Sequence, residues 1–213
     1  MKKFLLAALC AIALQGSASA DPLDESLAKY AAIAEGKVTF QLKVQGMPWT
    51  QNSTLVFRRP DKMHYWAETK YPEGPPLVVH CWLEGGKLWS WTSRVGDWED
   101  AQKNAYRAED FAGGLKDAPT SEPLGPGNFL LLLLSGSRQE FELEPSKSSE
   151  PDIWWKDGEN QLVLDPATRL VKEIVAWSRG KDVAHAQVQT APGPVAEDEL
   201  TWKMPADSTV IKL

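Results

Sequence analysis

Residues 53–91 read STLVFRRPDKMHYWAETKYPEGPPLVVHCWLEGGKLWSW. Apolar, aromatic and β-branched side chains dominate short runs in this stretch, and Pro60, residues 71–76 and the pair Gly85 and Gly86 separate the runs. Such side chains favour strands, proline ends a strand, and a two-glycine step makes a tight hairpin turn. The stretch therefore predicts consecutive antiparallel strands. Their apolar surface exceeds what a compact domain of this size usually needs. One face must therefore be covered by other parts of the chain or by a bound ligand.

The hairpin around the two glycines has a predictable register. The turn places Trp82 opposite Trp89 and His80 opposite Trp91, so that one hairpin face carries three tryptophans. A tryptophan in a strand either fills the core or contacts a ligand. For Trp82, Trp89 and Trp91 we favour contact with a ligand.

Periodicity extends the pattern to both sides of this stretch. Leu23, Leu27 and Tyr30 lie at helical spacing before Gly36, which predicts an amphipathic helix over residues 22–35. Further strands are predicted at residues 37–45, 53–59, 62–70, 77–92 (the hairpin), 139–143, 153–156, 161–164, 170–177, 183–189 and 200–203, with short helical pieces at 110–115 and 128–134. Roughly nine or ten strands with a few helices indicate a mainly β protein built on one strongly curved antiparallel sheet.

The N-terminus has the pattern of an export signal. Lys2 and Lys3 precede an apolar run over residues 4–14, and small residues occupy positions 18–20. This predicts a cleaved signal peptide over residues 1–20, a periplasmic location, and a single domain over residues 21–213. Cys81 is the one cysteine after cleavage, which excludes an internal disulfide.

Charge and motif content narrow the class of function. Loss of Lys2 and Lys3 with the leader changes the formal net charge from −6 to −8, which argues against nucleic acid as a partner. His64, His80 and His185 do not have the spacing of a metal site, and the chain contains no nucleophile elbow or phosphate loop. We therefore expect a monomeric protein that is not an enzyme and uses no metal or cofactor.

The order of several motifs resembles that of a known family. The motifs are TLVFRRPDKMHYW at 54–66, GGKLWSW at 85–91, LVLDPATRLVKEI at 162–174 and LTWKMPADSTVI at 200–211. This order is similar to that of the periplasmic outer-membrane lipoprotein carrier (LolA/LolB-like) superfamily, over about residue 27 to the C-terminus. The resemblance implies an incomplete antiparallel β-barrel with an apolar concave face that short helices cover.

The same resemblance implies roles for individual residues. Arg59 matches an arginine that contacts the lid helices, and Met63 and Tyr65 match inward-facing positions. Strand parity places Leu55 and Phe57 together on one side of the preceding strand. The predicted ligand-binding residues are Leu55, Phe57, Met63, Tyr65, Trp82, Trp89 and Trp91, and the predicted lid residues are Arg59, Phe129, Leu130 and Leu133.

Two functions follow, together with two interpretations of the apolar run at residues 129–134. The first function is non-covalent binding or carriage of an apolar ligand, an acyl chain or lipoprotein, with a membrane-associated donor or acceptor protein as a further partner. The alternative is a periplasmic sensor or protein-interaction module whose cavity is filled by its own side chains. The run FLLLLL must be buried, either as a permanent core helix or as a lid that moves.

Overall fold

The computed structural model describes residues 21–92, 105–110, 115, 133–136, 138, 148–149, 151–155, 160–203 and 209–212, with backbone only at 105–110, 155 and 209–212. The predicted signal peptide, lid residues Phe129 and Leu130, and the predicted strand at 139–143 lie outside the described residues.

One sheet of eleven strands organises the described part of the chain. The strands are β1 Glu35–Val44, β2 Thr50–Arg58, β3 Lys62–Lys70, β4 Leu77–Glu84, β5 Lys87–Thr92, β6 Ala105–Asp110, β7 Asp152–Trp155, β8 Asn160–Leu164, β9 Val171–Ser178, β10 Lys181–Pro192 and β11 Thr209–Lys212. Their order is β11-β6-β5-β4-β3-β2-β1-β10-β9-β8-β7, antiparallel except for the parallel pair β6 and β11. The predicted mainly β fold with an open, curved antiparallel sheet is confirmed.

An α-helix, α1 (Pro22–Ala32), precedes the sheet. The Asp21 carboxylate caps it by accepting a hydrogen bond from the backbone N–H of Leu23 at 2.9 Å, and proline at the first helical position fits the helix backbone. The helix ends earlier than the predicted residue 35 because Ile33 is extended and β1 already begins at Glu35.

One predicted element near the C-terminus is wrong. Residues 200–203 do not form a strand; a 3-10 helix at Glu197–Glu199 precedes them, and the last described strand is β11. The alternation of Leu200 and Trp202 resembled a strand, but both side chains pack against a face of the sheet. The predicted helical piece at 110–115 does not include its first residue, because Asp110 ends β6, where it pairs with Lys87 of β5; residues 111–114 lie outside the described residues.

Strand register divides β1–β5 into two faces. The inner face, on which α1 packs, carries the ladder Val38, Leu55, Tyr65 and Cys81 and the ladder Phe57, Met63, Leu83 and Leu88. The outer face carries the ladder Lys37, Val56, His64, Trp82 and Trp89 and the ladder Thr39, Thr54, Trp66, His80 and Trp91. No helix among the described residues has the length and apolar character needed to cross a membrane.

Candidate functional site

The inner face brings together part of the predicted ligand-binding set. Leu55, Phe57, Met63 and Tyr65 are neighbours on β2 and β3, and each is at most 1% exposed. They belong to one apolar cluster that also contains Leu133. The strand parity that placed Leu55 and Phe57 on one side is confirmed.

The predicted tryptophans lie on the opposite face. The hairpin register is confirmed, since Trp82 pairs with Trp89 and His80 pairs with Trp91. However, Tyr65 pairs with Cys81, and alternation along β4 then turns Trp82 to the outer face. Trp82, Trp89 and Trp91 therefore do not line the same space as the inner-face residues. The Trp82 and Trp89 rings stack with their centroids 5.9 Å apart.

The chain itself covers the inner face. Leu23, Leu27 and Tyr30 of α1 are at most 3% exposed, and Leu133 and Leu134 are at most 1% exposed in the same cluster. We call α1 together with residues 133–136 the inner cover. In this arrangement, protein side chains fill the described part of the inner side.

Arg59 joins the two pieces of the inner cover. Its Nε donates to the carbonyl oxygen of Ile33 at 2.9 Å, and its Nη2 donates to those of Tyr30 at 3.0 Å and Leu134 at 2.6 Å. Partial burial lowers the pKa of Arg59, but guanidinium remains charged in proteins. A cation also suits the C-terminal end of a helix, where unpaired carbonyls carry partial negative charge. Arg59 thus holds the end of α1 against residue 134 at one corner of the sheet.

Tyr30 provides a second anchor for α1. Its hydroxyl lies 3.3 Å from Thr190 Oγ1 and accepts a hydrogen bond from the Val171 N–H at 3.2 Å. Burial raises the pKa of Tyr30. Thr190 and Val171 also line a cleft of about 450 Å³, which opens where β10 continues beyond the start of β9. The cleft therefore borders an anchoring point of the inner cover.

The buried polar groups of the inner side differ in hydrogen bonding. Tyr65 donates to Ser53 Oγ at 3.1 Å, and burial raises its pKa to about 12, so the phenol stays neutral. Ser26 Oγ of α1 is buried and makes no hydrogen bond to any residue that the structure describes. A buried hydroxyl without a partner is unfavourable for the closed arrangement.

A C-terminal segment covers the outer face. Residues 194–202, which we call the strap, place Val195 and Leu200 against Val56 and Trp66. Arg58 holds the strap by donating from Nη1 to Glu197 Oε2 and from Nη2 to the Val195 carbonyl oxygen, both at 2.6 Å.

Two histidines lie under the strap. His64 Nδ1 is 2.9 Å from the Glu199 carbonyl oxygen, and His64 Nε2 is 3.0 Å from His80 Nδ1. A carbonyl only accepts, so His64 donates from Nδ1 and its Nε2 accepts the His80 Nδ1–H. Burial lowers the pKa of both rings, to about 4 for His80, where His64 adds repulsion. The His80 ring stacks on Trp202 at 3.7 Å between centroids.

The sequence predicts no metal site at these histidines, and it does not predict their contact with each other. The register of the β4–β5 hairpin predicts which residues share a face with His80. Whether His64 lies on that same face depends on the register between β3 and β4, which the sequence does not show. No group of three or more His, Cys, Asp or Glu side chains among the described residues could hold a metal ion.

Comparison with known proteins gives a limited result. No family model matches the chain, and no curated protein matches it. Among solved structures, the crystal structure of MucB is 16% identical with a TM-score of 0.43, covering 88% of this chain and 64% of that one. The Pseudomonas aeruginosa MucA/MucB complex is 14% identical with a TM-score of 0.42, covering 86% and 62%. MucB in complex with MucA(peri) is 15% identical with a TM-score of 0.39, covering 91% and 63%.

The chain therefore spans less than two thirds of the length of these structures. All three TM-scores lie below 0.5, so the similarities identify neither the family nor the function of this chain.

Proposed function

We propose that this protein binds an apolar moiety, such as the acyl chain of a lipid or lipoprotein, in the periplasm. The ligand would lie non-covalently between the inner face of the sheet and the inner cover, after the cover has moved. The single observation that supports this most is Arg59. It fastens a cover over an apolar face through backbone carbonyls at one corner, an attachment that can open without unfolding of the strands.

Competition with the cover would keep such binding reversible. Burying an acyl chain gains about 0.8 kcal/mol per methylene group. Leu23, Leu27 and Leu133 already occupy the inner side, so a ligand must displace them and loses part of that gain. The cleft beside Tyr30 offers an entrance, because release of the Tyr30 hydroxyl from Thr190 and Val171 would connect the cleft with the inner side.

The experiment compares two adjacent arginines. Delipidated protein is titrated with palmitate and with a triacylated lipopeptide by calorimetry, alongside Arg59→Leu and the control Arg58→Leu, whose side chain holds the strap. Loss of charge-assisted hydrogen bonds worth about 1.5–3 kcal/mol favours the open cover and tightens binding by about tenfold or more. Arg58→Leu should bind as the unmodified protein does. Absence of binding, or equal affinities for both variants, would refute the proposal.

The second candidate is a sensor or protein-interaction module with a self-filled interior. It is favoured by the inner-face residues Leu55, Phe57, Met63 and Tyr65, which protein atoms already cover almost completely. Native mass spectrometry of protein purified from its own periplasm separates the candidates. Co-purifying lipid supports the first, and a lipid-free mass in complex with a protein supports the second.

A further inference from the structure

We call the strip of the outer face beneath the strap the groove. The chemical character of its side chains changes from one ladder to the next. Arg58 and Lys62 are register partners at the cationic end. The next ladder contributes Lys37, Val56 and His64, and the one after it contributes Trp66, His80 and Trp91. A segment that crosses these ladders meets cations first, then an apolar side chain, and then aromatic rings.

The strap matches this sequence of environments residue by residue. Glu197 pairs with Arg58 and Lys62, and Glu199 pairs with Lys37 at 3.3 Å. Leu200 packs against Val56 and Trp66, as the next contact along the strap. Trp202 completes the match, since it stacks on His80 and lies 5.8 Å from the Trp91 ring.

The attachment of the strap is suited to exchange. Its ion pairs join side chains that are about a third to more than half exposed, and exposed pairs add little net stability. Its buried apolar anchors are Val195 and Leu200, whereas Trp202 Nε1 is buried without a hydrogen-bond partner in the described part of the chain. The strap thus satisfies the charges of the groove but leaves one of its own donors unpaired.

We infer that this groove is an interaction surface for an acidic segment of a partner protein that adopts the same short turn as the strap, and that the strap is its intramolecular occupant. The segment would carry two acids spaced as Glu197 and Glu199, then an apolar residue and an aromatic residue spaced as Leu200 and Trp202. Charge complementarity selects this partner, because Lys37, Arg58 and Lys62 each face a strap carboxylate. The inference goes beyond acyl-chain binding on the inner face and does not depend on it.

A peptide of the strap sequence tests the inference. Fluorescein-labelled PVAEDELTWK, residues 194–203, is titrated into the full chain and followed by fluorescence anisotropy, with a scrambled peptide as the control. In the full-chain double variant Leu200→Ser with Trp202→Ala, the tethered strap competes less well, and the peptide should bind at least about tenfold more tightly than to the unmodified protein. Glu173 shares an outer-face ladder with Gln187 and Gln41 and lies outside the groove, so Glu173→Gln should leave peptide affinity unchanged.

Charge reversal checks the location of the binding. Adding Arg58→Glu and Lys62→Glu to the double variant should abolish peptide binding. Equal affinity in the unmodified and double-variant proteins, or binding of the scrambled peptide with the same affinity, would overturn the inference.

A second measurement uses the unmodified protein, in case the double variant does not fold. Hydrogen exchange with saturating peptide should increase in the strap amides and remain unchanged in β2 and β3. Unchanged strap exchange at the highest peptide concentration would also overturn the inference.

Discussion

The inner and outer faces of β1–β5 are covered in different ways, although adjacent arginines fasten both covers. Arg59 donates to main-chain carbonyls of an inner cover whose leucines are almost fully buried. Arg58 donates mainly to partly exposed carboxylates and to one carbonyl of the strap. The comparison teaches that two neighbouring residues of the same type can hold different covers when one ends a strand, as Arg58 ends β2, and the next begins the turn that follows it. The inner cover is held by a large apolar cluster, whereas the strap combines a small apolar cluster with partly exposed ion pairs.

The largest expected difference concerns leucine truncation on the two sides. Leu27→Ala should lower the free energy of unfolding by about 3 kcal/mol, because Leu27 belongs to the main apolar cluster. Leu200→Ala should cost only about 1–2 kcal/mol, because its cluster is small and the strap can relax. Urea unfolding of both variants measures the difference, and equal losses would show that the two covers are held alike.

Acid should weaken the strap before it weakens the inner cover. The pKa of His80 is about 4 in the folded protein, below its ordinary value of 6.5. The unfolded chain therefore takes up a proton at a higher pH than the folded chain does. The stability that neutral His80 contributes is present above pH 6.5 and is lost as the pH falls towards 4. A single proton changes the free energy of unfolding by at most about 1.4 kcal/mol per pH unit. His80→Gln should therefore flatten the loss of stability between pH 6.5 and 4.5 in urea unfolding.

His185 provides a control with the opposite sign. Glu173 and Asp182 raise the pKa of His185, so its contribution is present below pH 6.5 and is lost as pH rises through the raised folded value. His185→Gln should make the free energy of unfolding fall more steeply with acidification, because the variant lacks the stabilisation that protonation of His185 provides. Identical pH slopes in the unmodified protein and both variants would contradict this assignment.

The smallest effect is expected at Ser26. Replacing its buried, unpaired hydroxyl by Ser26→Ala should stabilise the closed inner cover by about 1 kcal/mol. Ser53→Ala, which removes a paired hydroxyl under the same cover, should destabilise instead. Thermal unfolding distinguishes them, and a loss of stability in Ser26→Ala would mean that the hydroxyl has a partner in solution.

Local signals in the sequence were enough for part of this architecture. The bounds of β3, Lys62–Lys70, and the pairing of Trp82 with Trp89 follow from alternation and from a two-glycine turn. These features depend on residues close in sequence, where turn chemistry and side-chain period act directly.

Features that depend on distant pairing could not be predicted in the same way. The face taken by Trp82 depends on the β3–β4 register, which the long connection over residues 71–76 does not fix. The parallel pair β6 and β11 joins segments about a hundred residues apart, and neither strand has a strong alternating pattern. Leu200 and Trp202 alternate as in a strand, but they pack on the sheet because Arg58 and Lys62 fix the preceding acidic turn.

Hydrogen exchange of α1 with and without palmitate tests acyl-chain binding under the inner cover most directly. Saturating palmitate should increase exchange at the amides of α1 and leave those of the strap unchanged, because the ligand displaces only the inner cover. Unchanged exchange in α1, or an equal increase in both covers, would contradict binding at the inner face.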